Sequence, residues 1–113
     1  MKNSVLEKLK NGQKPVGTFF SIGNATAAEC LSFTGLDYII IDCEHGLFGV
    51  ETAAEILCSA LRGGMSVFAR VPDSSRASIL KMLDIGAQGI IIPSVKTVDE
   101  VKKIVEYGKY HPL

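Results

Sequence analysis

Most of the chemistry available to this sequence is concentrated in five consecutive residues, Asp42-Cys43-Glu44-His45-Gly46. Three ionisable side chains lie within four positions, directly after the apolar run Tyr38-Ile39-Ile40-Ile41. Carboxylates and an imidazole held close together suit proton transfer or metal work. An extended chain would put Asp42 and Glu44 on one side, with His45 in the turn before the next helix. Arg70 is the second point. Its neighbours Val67, Phe68, Ala69 and Val71 are apolar, so its head must emerge at a strand tip or be paired. A guanidinium there can grip a carboxylate or phosphate with two parallel hydrogen bonds. The plainer reading is a structural ion pair with Asp42 or Asp73. Asp84 is the third point. An acid near a helix C-terminus opposes the helix dipole, a cost that a cation could offset, including one on another subunit. A solvated surface acid is the plainer alternative. Cys43 reads as packing rather than as a nucleophile, and Cys30 and Cys58 as core residues on helix faces.

The elements that must hold these residues follow from the apolar periods. Ser4 and Glu7 form a capping box for a short first helix closed by Asn11-Gly12. Val16 to Ile22 is the first extended run. Asn24 can cap a helix to about Phe33, ended by Gly35. Leu36 to Asp42 is the second strand, and Val50 to Leu61 has helical spacing up to Gly63-Gly64. Met65 to Val71, a helix from Ser75 to Ile85, and the strand Gln88 to Ile92 follow. Thr97 and Glu100 make a second capping box, for a helix to about Tyr107 with a left-handed cap at Gly108. The order is one helix and then four βα units. Continuous Ile and Val runs imply strands covered on both faces, hence a parallel sheet. The expectation is an α/β fold: strands in the order 1-2-3-4, helices on one side, the whole curved like half of a (β/α)8 barrel over residues 1–113. Ligands of parallel α/β folds bind beyond the C-terminal strand ends. That rule selects Ser21, Asn24 and Thr26 after strand one, the Asp42–His45 segment after strand two, Arg70 on strand three, and Ser94 and Lys96 after strand four.

Composition excludes several classes. The chain has 113 residues, 47% of them hydrophobic, with 12 basic and 12 acidic residues. A disordered chain would combine low hydrophobicity with high net charge, and a nucleic-acid module would show a basic cluster. The apolar runs are far shorter than the roughly 20 residues that span a bilayer, so no membrane role is expected. The first eight residues lack the apolar core of a signal peptide. Three widely spaced cysteines match neither a zinc pattern nor a disulfide framework, which points to a reducing, cytoplasmic setting. No dinucleotide or phosphate-loop glycine pattern is present.

The motifs together resemble the metal-dependent class II pyruvate aldolases of the HpcH/HpaI family, within the phosphoenolpyruvate/pyruvate barrel superfamily. The resemblance runs through Gly17-Thr18-Phe19, Gly35-Leu36-Asp37-Tyr38, Ile41 to Gly46, Ala69-Arg70-Val71, Leu83 to Gly89 and Ile92-Pro93, and ends at Lys109-Tyr110. It covers the N-terminal half of such a protein. It implies a lyase that cleaves a 4-hydroxy-2-oxo acid to pyruvate and an aldehyde. By the same resemblance, His45 is the catalytic histidine and Arg70 the arginine that holds the pyruvate carboxylate and oxygen. Asp42 is the acid that orients the arginine, Asp84 the partner of the histidine across a subunit contact, and Glu44 a glutamate near the metal region. A divalent cation (Mg, Mn or Co) is implied for the full-length protein, its direct ligands falling beyond residue 113 and none within this chain. Many relatives carry tryptophan where this sequence has Phe19.

The partners so implied are a small 2-oxo acid and either a further copy of the chain or a C-terminal half, because a half barrel exposes two strand edges. A stable monomer is not expected, nor activity of these 113 residues alone. Two other readings are open: a non-catalytic half barrel that serves assembly, and a citrate-lyase-like enzyme acting on a thioester. The Asp42-x-Glu44-His45 segment favours the aldolase.

Overall fold

The computed structural model describes residues 3–109. Its elements are α1 (Ser4–Lys10), β1 (Gly17–Phe20), α2 (Ala25–Leu31), β2 (Tyr38–Asp42), α3 (Val50–Arg62), β3 (Ser66–Arg70), α4 (Arg76–Asp84), β4 (Ile90–Ile91) and α5 (Val98–Tyr107). The four strands form one parallel sheet in the order β1-β2-β3-β4. Parallel strands alternating with helices make this a partial (β/α) barrel, half of the eight-unit architecture.

The two faces of the sheet carry different residues because side chains alternate along each strand. One face presents Phe20, Ile39, Ile41, Val67 and Ala69, all buried. They meet Ala53, Ile56, Leu57 and Ala60 of α3, Met82 of α4 and Ala28 of α2 in a single core cluster. Side chains such as Ile39 and Ile41, with no exposed surface, each contribute about 1.5–3 kcal/mol through burial. The opposite face is built in rows set by the strand register. Gly17, Tyr38 and Ser66 make the lowest row, Phe19, Ile40 and Phe68 the next, and Asp42, Arg70 and Ile91 the row at the C-terminal edge. Large rings sit beside missing side chains. Tyr38 and Phe68 meet edge to face at 5.6 Å. A Cβ on Gly17 would run into the Tyr38 ring and one on Gly89 into the Phe68 ring.

Helix α1 sits at the N-terminal end of the sheet. Ser4 Oγ lies 3.0 Å from Ser66 Oγ, Val5 is buried, and Lys8 pairs with Asp37. Asp37 also accepts the Val16 amide at 2.8 Å. The Lys8 hydrogen bond, helped by that amide, lowers the Asp37 pKa.

Several local expectations change. The cap of α1 is Asn3, whose side chain accepts the Leu6 amide. With that role filled one residue earlier, Ser4 turns inward to Ser66. Thr97 does cap α5 by accepting the Glu100 amide, but Glu100 reaches back to the Lys96 amide and not to that of Thr97. Gly108 has φ −77°, ordinary helical backbone, so no left-handed cap forms there. Strand β4 keeps two ladder residues where five were expected. Cys30 and Cys58 are exposed. On α3 the core stripe is Ala53, Ile56, Leu57 and Ala60, and Cys58, one step beyond Leu57, falls outside it. The expected resemblance at Tyr110 lies outside the described residues.

Candidate functional site

Asp42 and Arg70 are register partners at the C-terminal ends of β2 and β3, so their side chains leave the same face of the sheet. Arg70 Nε donates to Asp42 Oδ1 at 3.1 Å and Nη2 to Oδ2 at 2.6 Å, a two-bond fork. Asp42 Oδ1 also accepts the amides of Glu44 and His45, both at 3.1 Å. Both of its oxygens are therefore occupied. The Arg70 hydrogen bonds, foremost, hold the Asp42 carboxyl at about 2, against the opposing effect of burial and with help from the two amides. The same pairing raises the Arg70 pKa.

Those two amide bonds determine the course of the backbone. Chain extension ends at Asp42 and the backbone turns around its carboxylate, so Asp42 and Glu44 do not share one side of an extended strand as the spacing suggested. The turn closes through Gly46, whose amide donates to the Asp42 carbonyl at 3.0 Å. A Cβ at Gly46 would meet that carbonyl and the Phe48 ring, so only glycine fits.

Glu44 and His45 leave this turn together. His45 Nε2 lies 3.1 Å from Glu44 Oε1, and the same oxygen is 3.5 Å from Arg70 Nε. Glu44 thus bridges the imidazole and the guanidinium. The His45 side chain is 71% exposed, which leaves its ring open to a ligand. Beside Glu44 a polar cleft of about 310 Å³ is lined by Asp73, Ser74, Ser94, Lys96 and Glu100, with Pro72 and Pro93. Ser94 has φ +56°, a costly left-handed conformation of the kind that gathers at functional sites. An apolar hollow of about 220 Å³, lined by Cys43, Phe48, Pro72 and Met82 among others, lies against α3 and α4. Cys43 Sγ is 3.9 Å from Met82 Sδ, and burial, followed by the Asp42 charge, pushes its thiol pKa up. A thiol so placed packs and is not activated as a thiolate nucleophile.

The structure brings Asp42, Glu44, His45 and Arg70 together. Asp84 stays apart from them. It is the exposed last residue of α4, at the helix end that leads back to the start of β4, opposite the strand tips. Asp73 does not take Arg70, because its carboxylate accepts the Ser75 amide at 2.9 Å. Among the described residues no group of three His, Cys, Asp or Glu side chains could hold a metal ion. Both Asp42 oxygens already accept hydrogen bonds from Arg70, and the described residues do not form a complete cation site. No helix among the described residues is long and apolar enough to cross a membrane.

Sequence spacing missed one contact. The Arg70 guanidinium carbon lies 4.7 Å from the centre of the Phe19 ring, a cation–π distance. The signal was an aromatic at the end of the first strand, but which charge it would meet two strands away could not be read from the chain.

Residues 16–113 match the family described as HpcH/HpaI aldolase/citrate lyase. The 4-hydroxy-2-oxo-heptane-1,7-dioate aldolase of Salmonella dublin is 31% identical over 112 residues, which is 99% of this chain and 43% of that protein. Among solved structures, citrate synthase SbnG superposes with a TM-score of 0.88 at 35% identity, over 94% of this chain and 43% of that one. The HpcH/HpaI aldolase from Desulfitobacterium hafniense DCB-2 gives 0.86 at 34%, over 96% and 42%. The chain spans less than half the length of the curated relatives it matches.

Proposed function

The chain belongs to the HpcH/HpaI aldolase/citrate lyase family, an enzyme family of carbon–carbon bond chemistry, and on that premise we propose that its strand tips handle pyruvate in the cleavage of a 4-hydroxy-2-oxo acid to pyruvate and an aldehyde. The observation that carries this reading is the clamped Arg70. Two of its five N–H groups go to Asp42, and the Nη1 edge makes no hydrogen bond or ion pair with any described residue. That free edge can hold a 2-oxo carboxylate and the oxygen on which charge develops as the bond breaks. A fixed guanidinium stabilises such charge without reorganising.

Cleavage breaks the C3–C4 bond. The 4-hydroxyl proton leaves, C4 becomes the aldehyde carbon, and the bonding electrons pass toward the 2-oxo oxygen before C3 is protonated. His45 would take the hydroxyl proton, a role supported by its exposed ring and by Glu44 beside one of its nitrogens. Asp42 does not exchange protons near neutrality. Its role is to orient Arg70. Asp84 would act on the histidine of a neighbouring subunit, since within one chain it lies at the opposite end of the sheet. Family members are generally metal-dependent, and the cation's ligands would come from outside this chain.

The test uses the chain completed by joining it to the C-terminal half of the Salmonella dublin relative. That hybrid should release pyruvate from a 4-hydroxy-2-oxo acid in a coupled assay with saturating manganese or magnesium, and the 113-residue chain alone should not. A hybrid that folds, binds manganese and releases no pyruvate would overturn the reading, as would turnover by the bare chain.

A further inference from the structure

We infer that Phe19 is a positioning residue for Arg70: its ring, lying under the guanidinium at the strand tips, steadies it so that the free Nη1 edge is presented to the substrate carboxylate. The inference rests on the pyruvate reading of the site but concerns a residue to which no role has been given above.

Arg70 is constrained on one edge only by its acid. The Asp42 fork and the Glu44 contact both act on the Nε and Nη2 side. Two in-plane bonds to one carboxylate leave the guanidinium free to tilt about the line joining the two groups. A ring beneath the guanidinium limits that freedom, and Phe19 supplies one, its centre 4.7 Å from the guanidinium carbon. The contact spans two strands, since Phe19 is on β1 and Arg70 on β3 with β2 between them. The register explains how this is possible. Phe19 stands in the row below Asp42 and Arg70 on the same face, so the arginine stem can cross over β2 and lay its head on the ring.

Phe19 is also spared from other duties. It is 51% exposed, whereas its neighbour Phe20 is in the core. A strand tip that needed only bulk would not require a flat ring in this place. The aromatic face attracts the cation while leaving the outward N–H groups uncommitted, which a second carboxylate would not do. Phe19 thereby holds the arginine without competing with the substrate for its donors.

The readout is the Arg70 Nε–H resonance of the 15N-labelled 113-residue chain. A ring against the guanidinium face should displace this signal upfield and slow its exchange with water. Phe19→Leu should return both toward ordinary arginine values, and Phe19→Trp should preserve them. Because Phe19 is half exposed, backbone amide spectra of the variants should otherwise overlay those of the parent. In the completed enzyme, Phe19→Leu should raise KM for the 2-oxo acid roughly threefold to thirtyfold, the span of a cation–π contact, with kcat little changed and Phe19→Trp restoring it. An Arg70 signal that is the same in the parent and Phe19→Leu would overturn the inference. So would a KM unmoved after that signal has collapsed. Absence of pyruvate release by the parent hybrid would instead count against the functional reading, and the resonance would still decide whether Phe19 positions the arginine.

Discussion

Strand β2 has an aspartate at each end, and the two do different work. Asp37, just before the strand, gives its carboxylate to Lys8 of α1 and to the Val16 amide. Asp42, at the other end, gives its carboxylate to Arg70 and to two amides of its own turn. Both acids are pulled below their ordinary pKa by a cation. The difference lies in the partner. A lysine is a point charge on a flexible stem, and at Asp37 it fastens a helix to the sheet. An arginine is a planar fork with more donors than one carboxylate can use. At Asp42 the fork takes two of the arginine's five N–H groups, and Glu44 links the same arginine to an exposed histidine. In the proposed function it is the arginine's remaining donors that distinguish this end of the strand, whereas the acids look alike.

That contrast can be broken from either end. The largest effect should come from His45→Ala in the completed enzyme, a fall in turnover of about 10² to 10⁴, the usual contribution of a general acid–base group. Metal affinity should hardly change, and a turnover within a factor of three of the parent would remove His45 from the proposed chemistry. Arg70→Ala should weaken pyruvate binding by about 2–5 kcal/mol, the cost of losing a charged hydrogen-bonding fork. Asp42→Asn should come next. It leaves the guanidinium with a neutral partner, and the cost of about 1–3 kcal/mol should appear in urea unfolding as well as in pyruvate affinity. Lys8→Ala should do least. It removes a pair whose lysine is 39% exposed, and such surface pairs contribute little. Activity should be unchanged. A Lys8 variant that lost pyruvate affinity as Asp42→Asn does would erase the distinction between the two ends.

Asp42 is ionised in the folded chain down to about 2, while in the unfolded chain it titrates near the ordinary 3.8. Its folded pKa is the lower one, so the stabilisation is complete above the unfolded value and fades as pH falls from about 4 through about 2. Part of the group's interaction is screened by solvent, so the amount lost should be on the order of 1–2 kcal/mol. Unfolding free energies of the parent and Asp42→Asn, measured from pH 5 to pH 2, should converge as the acid is protonated. Parallel curves would show that the carboxylate charge contributes nothing.

Much of this could be read from the chain. Apolar runs ending in charge located two of the strand tips, at Asp42 and Arg70, and glycines between elements marked the unit boundaries. What the sequence left open were choices between near-equivalent partners. Arg70 could have paired with Asp73, and the structure decides for Asp42 because register places the two side by side while Asp73 is used by its own turn. Ser4 fits a capping box, yet Asn3 caps one residue earlier. The extended-strand reading of Asp42 and Glu44 failed because the Asp42 carboxylate binds the next amides and turns the chain. Phe19 under Arg70 is a contact between first and third strands, and no local pattern encodes it.

In the proposed function the free edge of Arg70, held by Asp42, binds the carboxylate of a 2-oxo acid. The direct measurement is the pyruvate dissociation constant of the completed, manganese-loaded enzyme in three forms: parent, Arg70→Ala and Arg70→Lys. Arg70→Ala should lose roughly thirtyfold or more in affinity, and Arg70→Lys should fail to restore it, because a point charge cannot satisfy Asp42 and a second carboxylate in one plane. Pyruvate binding by Arg70→Ala as tight as that of the parent would contradict it.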